Sequence, residues 1–179
     1  MNQASAPVYD TPYSWARLAV CLVLGALGGV GMWSPVVILP AVQADFGISR
    51  AAASFASTTT LVGFAFGGII MGWLTDRFGA MLPVLGGSIT MAAGIALASQ
   101  APDIGTFALI QGVVIAMFGS SATFVPLMAD ISRWFDKRRG VATALCACGN
   151  YLAGAVWPPL MQPFLESYGW RDTYLGIAV

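Results

Sequence analysis

The chain has 179 residues, of which 58% are hydrophobic and only 9% charged, with Lys+Arg 8 matched by Asp+Glu 8 and no His. A soluble domain carries about 25% charged residues, so a fully hydrated surface is excluded and lipid is the expected partner of much of the chain. Zero net charge excludes the basic face that a nucleic-acid partner needs, and the absence of His removes the commonest general base and metal ligand.

Residues 1–16 form a polar tail. It lacks the basic stretch and short apolar core of a cleaved signal, and the first apolar run is too long for one. A membrane helix needs about 20 apolar residues to cross about 30 Å of hydrocarbon. Runs of that kind lie at about 18–42, 52–74, 81–98, 104–128 and 141–165, and a sixth starts near 173 and reaches 179. They are continuous rather than alternating, which excludes a β-barrel. The expected fold class is an all-α, polytopic transmembrane helix bundle, with the bundle occupying 17–179.

Every charged residue falls outside these runs or at their ends. Burying one mid-bilayer costs about 2.5–3.5 kcal/mol. The tail and the loops after the second and fourth runs carry Arg17, Arg77, Arg133, Lys137, Arg138 and Arg139, and the opposite loops carry only Arg50 and Arg171. Basic residues collect on the cytoplasmic side, so the N-terminus is predicted inside, and the expected location is a cell membrane, the bacterial inner membrane. Glycine stripes, Gly63-x-x-x-Gly67 and Gly68-x-x-x-Gly72 among them, predict close helix contacts. Cys21, Cys146 and Cys148 lie in apolar runs and are read as packing residues with no structural disulfide.

Two loops carry motifs. The first is Gly72-Trp73-Leu74-Thr75-Asp76-Arg77-Phe78-Gly79. Gly72 allows helix approach, Gly79 allows a tight turn, Asp76 can accept from helix N-terminal amides and Arg77 can pair with a carboxylate. The second is Arg133-Trp134-Phe135-Asp136-Lys137-Arg138-Arg139-Gly140, which also reads as a membrane-surface anchor. Gly149-Asn150-Tyr151-Leu152-Ala153-Gly154 and Gly169-Trp170-Arg171 follow.

In these strings the sequence resembles the major facilitator superfamily. Gly72, Asp76, Arg77 and Gly79 match its signature, while Ala80 and Met81 stand where the family often has Arg or Lys. The second string is similar to members of the monocarboxylate-transporter and oxalate/formate-antiporter type. The resemblance implies the first five to six helices of a twelve-helix, two-half carrier working by alternating access. It also implies a conformational-gating role for the first loop, a missing C-terminal half as partner, and a small organic solute as substrate, a mono- or dicarboxylate by subgroup. It implies no enzyme activity, no catalytic residue, no cofactor and no metal. Two departures lower the odds of a drug/proton antiporter: Ala108 before Gln111-Gly112, where such exporters have Arg, and Gly154-Ala155 where they have Gly-Pro.

Polar groups deep in lipid face protein or a water-filled cavity. By the resemblance, the first and fourth spans line the solute cavity. Trp33, Gln111, Thr123, Asn150 and Tyr151 are the cavity candidates, with Ser34, Ser120 and Ser121 beside them, and local hydroxyl bonding to the preceding helix turn is the competing reading. The last apolar run is too short to span, which predicts a fragment or a truncated product. A half-size membrane protein with an anchoring or assembly role is the alternative to a carrier.

Overall fold

The computed structural model describes residues 9–178. Residues 1–8 of the expected tail and Val179 lie outside the described residues. The elements in chain order are α1 (Pro12–Gly28), α2 (Val30–Phe46), α3 (Arg50–Phe78), α4 (Met81–Ser99), α5 (Ile104–Leu109), a π-helix (Ile110–Ser120), α6 (Val125–Trp134) and α7 (Arg139–Ala178). They form five segments long and apolar enough to cross a membrane: Pro12–Phe46, Arg50–Phe78, Met81–Ser99, Ile104–Trp134 and Arg139–Ala178. Gly169 (φ 79, ψ 173) interrupts α7, and the helical stretch that follows it from Trp170 contains the start of the expected sixth span.

The helices run past the apolar runs because polar residues cap them. Thr11 accepts from the Ser14 N–H, and Pro12 stands in the first turn, where its missing N–H costs nothing. Ser49 accepts from Ala52 N–H and Asp103 from Thr106 N–H. The backbone N–H and then the hydroxyl of Thr106 hold the Asp103 carboxyl below its ordinary value. Its contribution to the helix start is present above the ordinary carboxylate range and is lost as pH falls through the lowered value. Gly47 (φ 60) closes α2 and Gly79 (φ 79) closes α3, in a backbone region that side chains with a Cβ disfavour.

The fourth span is the centre of the bundle. In its most apolar stretch 56% of residues are buried, against 22% in the second and fifth spans. It lies between the second and third spans and crosses the first, while the fifth packs along the first. Glycine makes these approaches possible. A Cβ on Gly63 would collide with Gly112 O, and one on Gly67 with Met117 O. Gly149 approaches Leu22 O at 2.5 Å from where its Cβ would stand. The second predicted stripe behaves differently: a Cβ on Gly68 or Gly72 would meet Val125 at 3.6 or 3.9 Å, an ordinary contact. Apolar side chains such as Ile69 (73% exposed) and Ile89 (72%) point away from the bundle, as lipid-facing residues do.

One apolar core gathers Ile38, Phe107, Ile115, Trp170 and Tyr174 toward one end. A second gathers Leu18, Leu127, Ile131, Phe135 and the free thiols Cys21 and Cys146 toward the other.

The glycine contacts generate a paired test. Gly63→Ala is expected to destabilise the detergent-solubilised chain by about 1–3 kcal/mol through overpacking. Gly86→Ala, where a Cβ meets nothing within 4 Å, is expected to leave the thermal midpoint unchanged or slightly raised. Equal midpoints for the two variants would show that the contact between the second and fourth spans is not glycine-limited.

Candidate functional site

Proline decides what happens at the middle of the first span. Pro35 has no N–H, so the carbonyl of Gly31, four residues earlier, lacks its helical donor. Gln111 of the fourth span fills that place, its Nε2 donating to Gly31 O at 2.7 Å. Gln111 Oε1 accepts from Tyr174 Oη at 3.2 Å, and Tyr174 Oη lies 3.2 Å from Ser34 Oγ. Ser34, Gln111 and Tyr174 are all 0% exposed. Gln111 is therefore enclosed among the first, fourth and sixth spans, with both amide atoms engaged by protein.

The hydroxyls of the fourth span sit at helix crossings. Thr123 is buried against Gly28 and donates to Ser120 O at 3.0 Å. Ser121 donates to Met117 O and lies over Gly67. Ser120 Oγ lies against Gly31 and has no hydrogen-bond partner within the described residues.

Trp33, Asn150 and Tyr151 occupy a different face. Trp33 Nε1 donates to Asn150 O at 2.8 Å, and its ring lies on Gly154, where a Cβ would stand 2.9 Å away. The Asn150 amide sits over Gly29 and approaches Met32 Sδ at 3.7 Å. Beside Trp33 the first and second spans leave a recess of about 200 Å³, lined also by Met32, Val36, Ser57, Thr60 and Leu61. Tyr151, one residue on, is 67% exposed. The structure thus brings Trp33 and Asn150 together, sets Tyr151 on the outer surface beside them, and keeps Gln111 and Thr123 inside the bundle.

The two loop motifs meet at one end of the bundle. Asp76 and Arg133 approach to 3.7 Å with side chains 80% and 60% exposed, a weakly stabilising geometry. Arg77 makes no ion pair among the described residues and lies over Trp73 and Phe78 at 5.5 and 5.6 Å. It follows Asp76 by one residue, and adjacent helix positions do not share a face. Arg138 lies 6.0 Å from the Trp15 ring. Lys137 N–H donates to Asp10 Oδ2 at 3.1 Å, Arg139 opens α7, and Gly140 has open space around it.

Three further residues contribute. Tyr174 lies in the short last apolar run, where hydropathy gives its hydroxyl no weight. Asp10, at φ 56, ties the tail to Trp134 O and Lys137. Arg17 forks onto Asp130, with contacts of 2.9 to 3.1 Å. The available signal for that pair was that both residues flank spans on the same predicted side.

A family model described as the Major Facilitator Superfamily matches residues 21–179. Among curated proteins, the chain is 37% identical over 108 residues to a "Fujikurins efflux protein" of Gibberella fujikuroi, covering 60% of this chain and 23% of that protein. It is 27% identical over 176 residues to "Monocarboxylate transporter 3" of Gallus gallus, covering 97% of this chain and 32% of that protein. An "MFS-type transporter" of Aspergillus niger is 32% identical over 114 residues, covering 62% of this chain and 26% of that protein. The chain thus spans between 23% and 32% of the length of these relatives.

The role of Gln111 is open to direct measurement. Gln111→Leu leaves the Gly31 carbonyl and the Tyr174 hydroxyl without their partner and is expected to cost about 1–3 kcal/mol. Tyr174→Phe, which removes the hydroxyl as well, is expected to recover part of that loss in the double variant. Thermal unfolding in detergent reads both, and a stable Gln111→Leu would assign the amide away from packing.

Proposed function

From the premise that the chain belongs to the major facilitator superfamily, we propose that it forms the first half of a secondary active carrier for a small organic solute, moved by alternating access. The observation that carries this reading is the match along 21–179 in a bundle whose first and fourth spans lie at its centre. The rocking of two six-helix halves about a midplane site is the mechanism this architecture serves. Trp33 and Asn150, with Tyr151 beside them, are the proposed solute contacts. A part-exposed flat ring and an exposed phenol, with a buried amide behind them, suit a small polar or amphipathic solute. A mono- or dicarboxylate is the first class to test. The Arg133–Gly140 string and the similarity to a monocarboxylate transporter across 97% of the chain support it. The second half, the bilayer and the solute are the partners, and no enzyme activity is proposed.

The proposed gating pair is the Asp76–Arg133 contact at the end that also carries Arg17 and Arg138. The concentration of basic residues there supports a cytoplasmic N-terminus in a cell membrane. The relatives named above are fungal and avian, and they lend no support to a bacterial inner membrane. A second reading, export of a larger apolar compound, is favoured by the 37% identity to an efflux protein.

The test is uptake into proteoliposomes that hold the full-length product of the gene encoding this chain. Saturable uptake of labelled lactate or oxalate is the expected result, with Trp33→Ala raising KM at least about tenfold, the loss of roughly 1.4 kcal/mol of binding. Transport of an apolar compound alone moves the assignment to export. No transport of either class overturns the carrier reading.

A further inference from the structure

The two halves of this bundle repeat one another. The turn from the second to the third span passes through Gly79 (φ 79, ψ 172), and the turn from the fifth to the sixth through Gly169 (φ 79, ψ 173). Each glycine follows an aromatic residue, Phe78 or Tyr168, and stands three residues after a carboxylate, Asp76 or Glu166. The packing repeats as well: the second span presses glycines onto the fourth, and the fifth presses glycines onto the first. The first three spans therefore correspond to the last three, with opposite orientation in the membrane, the arrangement of an inverted repeat.

The correspondence pairs two end clasps. At one end Asp45, which closes the first span after Pro40, accepts from Trp170 Nε1 at 3.1 Å and from Arg171 Nη2 at 3.3 Å. Arg171 also donates to Ser99 O and Ala101 O, at 2.9 and 3.1 Å, and lies 4.4 Å over the Trp170 ring. Trp170 and Arg171 are the two residues directly after Gly169. At the other end, Asp130 follows Pro126 near the end of the fourth span, and the two residues after Gly79 are Ala80 and Met81. Neither side chain can donate. Both nevertheless line the groove of about 570 Å³ that also holds Arg17 and Asp130, and Met81 is 76% exposed there. Between Arg77 and Asp103 the chain has no charged residue.

We propose that Arg17 is a relocated positioning cation: from the first span it supplies the donor to Asp130 that the repeat would place at the start of the third, where Met81 stands opposite Arg171. Its geometry is that of the main donor. Arg17 Nε and Nη2 fork onto both Asp130 oxygens, the guanidinium lies 4.6 Å over Trp134, and the side chains are 36% and 19% exposed. A planar fork on a half-buried carboxylate is the arrangement in which arginine is hardest to replace. As a result the first and fourth spans are locked together at this end. Among the described residues no side-chain hydrogen bond or ion pair joins the third span to the fourth there, and Gly87 packs against Ala122.

The proposal predicts a position-specific rescue. In the detergent-solubilised full-length product of the gene encoding this chain, Arg17→Ala is expected to lower the thermal midpoint by about 3–8 °C. Adding Met81→Arg is expected to restore most of the loss. Ala80→Arg is the second suppressor, so that the reach of one side chain does not decide the result. Neither arginine is expected to rescue Asp130→Ala, because the carboxylate is then gone. Where Arg17→Ala yields no monodisperse protein, recovery of the monodisperse peak in the double variant is the readout, with the same meaning. Failure of both suppressors, or equal rescue of Arg17→Ala and Asp130→Ala, overturns the proposal.

Discussion

In hydrocarbon a backbone carbonyl without a donor has no water to turn to, and several kcal/mol is at stake for each such group. That constraint organises this bundle. Pro35 frees the Gly31 carbonyl, and the fourth span answers with Gln111, which in turn draws in Tyr174 of the sixth span and Ser34 of the first. The same solution recurs at other irregular points. Near the break at Gly29, Ala26 O accepts from Trp157 Nε1 at 2.9 Å. Where α5 widens into the π-helix, Ala108 O accepts from Thr59 Oγ1 at 3.0 Å. At these three places a side chain from another span supplies the donor, so irregular backbone and helix association are coupled there.

Close approach is the second half of that solution. Lipid tails are as apolar as leucine, so burying apolar surface does little to hold spans together, and contact density must do it. The glycines at 63, 67, 149 and 154 let backbone or a flat ring come within contact distance of a neighbouring span. The buried fourth span follows from this, since it receives glycine faces from the second and sets its own Thr123 and Ser120 against Gly28 and Gly31 of the first. Charge is confined to the ends, where water and headgroups lower its cost, and there it forms the Asp45 and Asp130 clasps.

Much of the fold was legible in the sequence because membrane insertion enforces a coarse rule on every residue: apolar inside, charged at the ends. Span number and bundle class follow from that rule alone. Helix boundaries did not, because caps such as Thr11, Ser49 and Asp103 are polar residues that hydropathy counts as loop. The π-helix from Ile110 to Ser120 left no hydropathic trace, since widening a helix changes hydrogen-bond register and not composition. Which glycines act was equally hidden. Gly63-x-x-x-Gly67 and Gly68-x-x-x-Gly72 have the same spacing, and only the side of the helix they occupy separates a tight contact from an ordinary one. For the candidate site, residue type showed which groups were polar and deep but not what each was already bonded to.

That last distinction bears on what this part of the molecule can recognise. A polar atom committed to a neighbouring span has no capacity left for a solute, and Gln111, Ser34 and Tyr174 are committed in this way, wholly buried. Thr123 and Ser121 spend their hydroxyls on their own helix. What remains is the part-exposed Trp33 ring and the exposed Tyr151 phenol, with the Asn150 amide buried beside them, none of them a carboxylate or a cation. No Asp, Glu, Lys or Arg lies between Arg17 and Asp45, between Arg50 and Asp76, between Arg77 and Asp103, or between Asp103 and Asp130. A charge buried in the membrane needs a partner close by. For a carboxylate solute, the balancing cation must therefore come from outside these spans, and the residues described here are suited to grip its uncharged part.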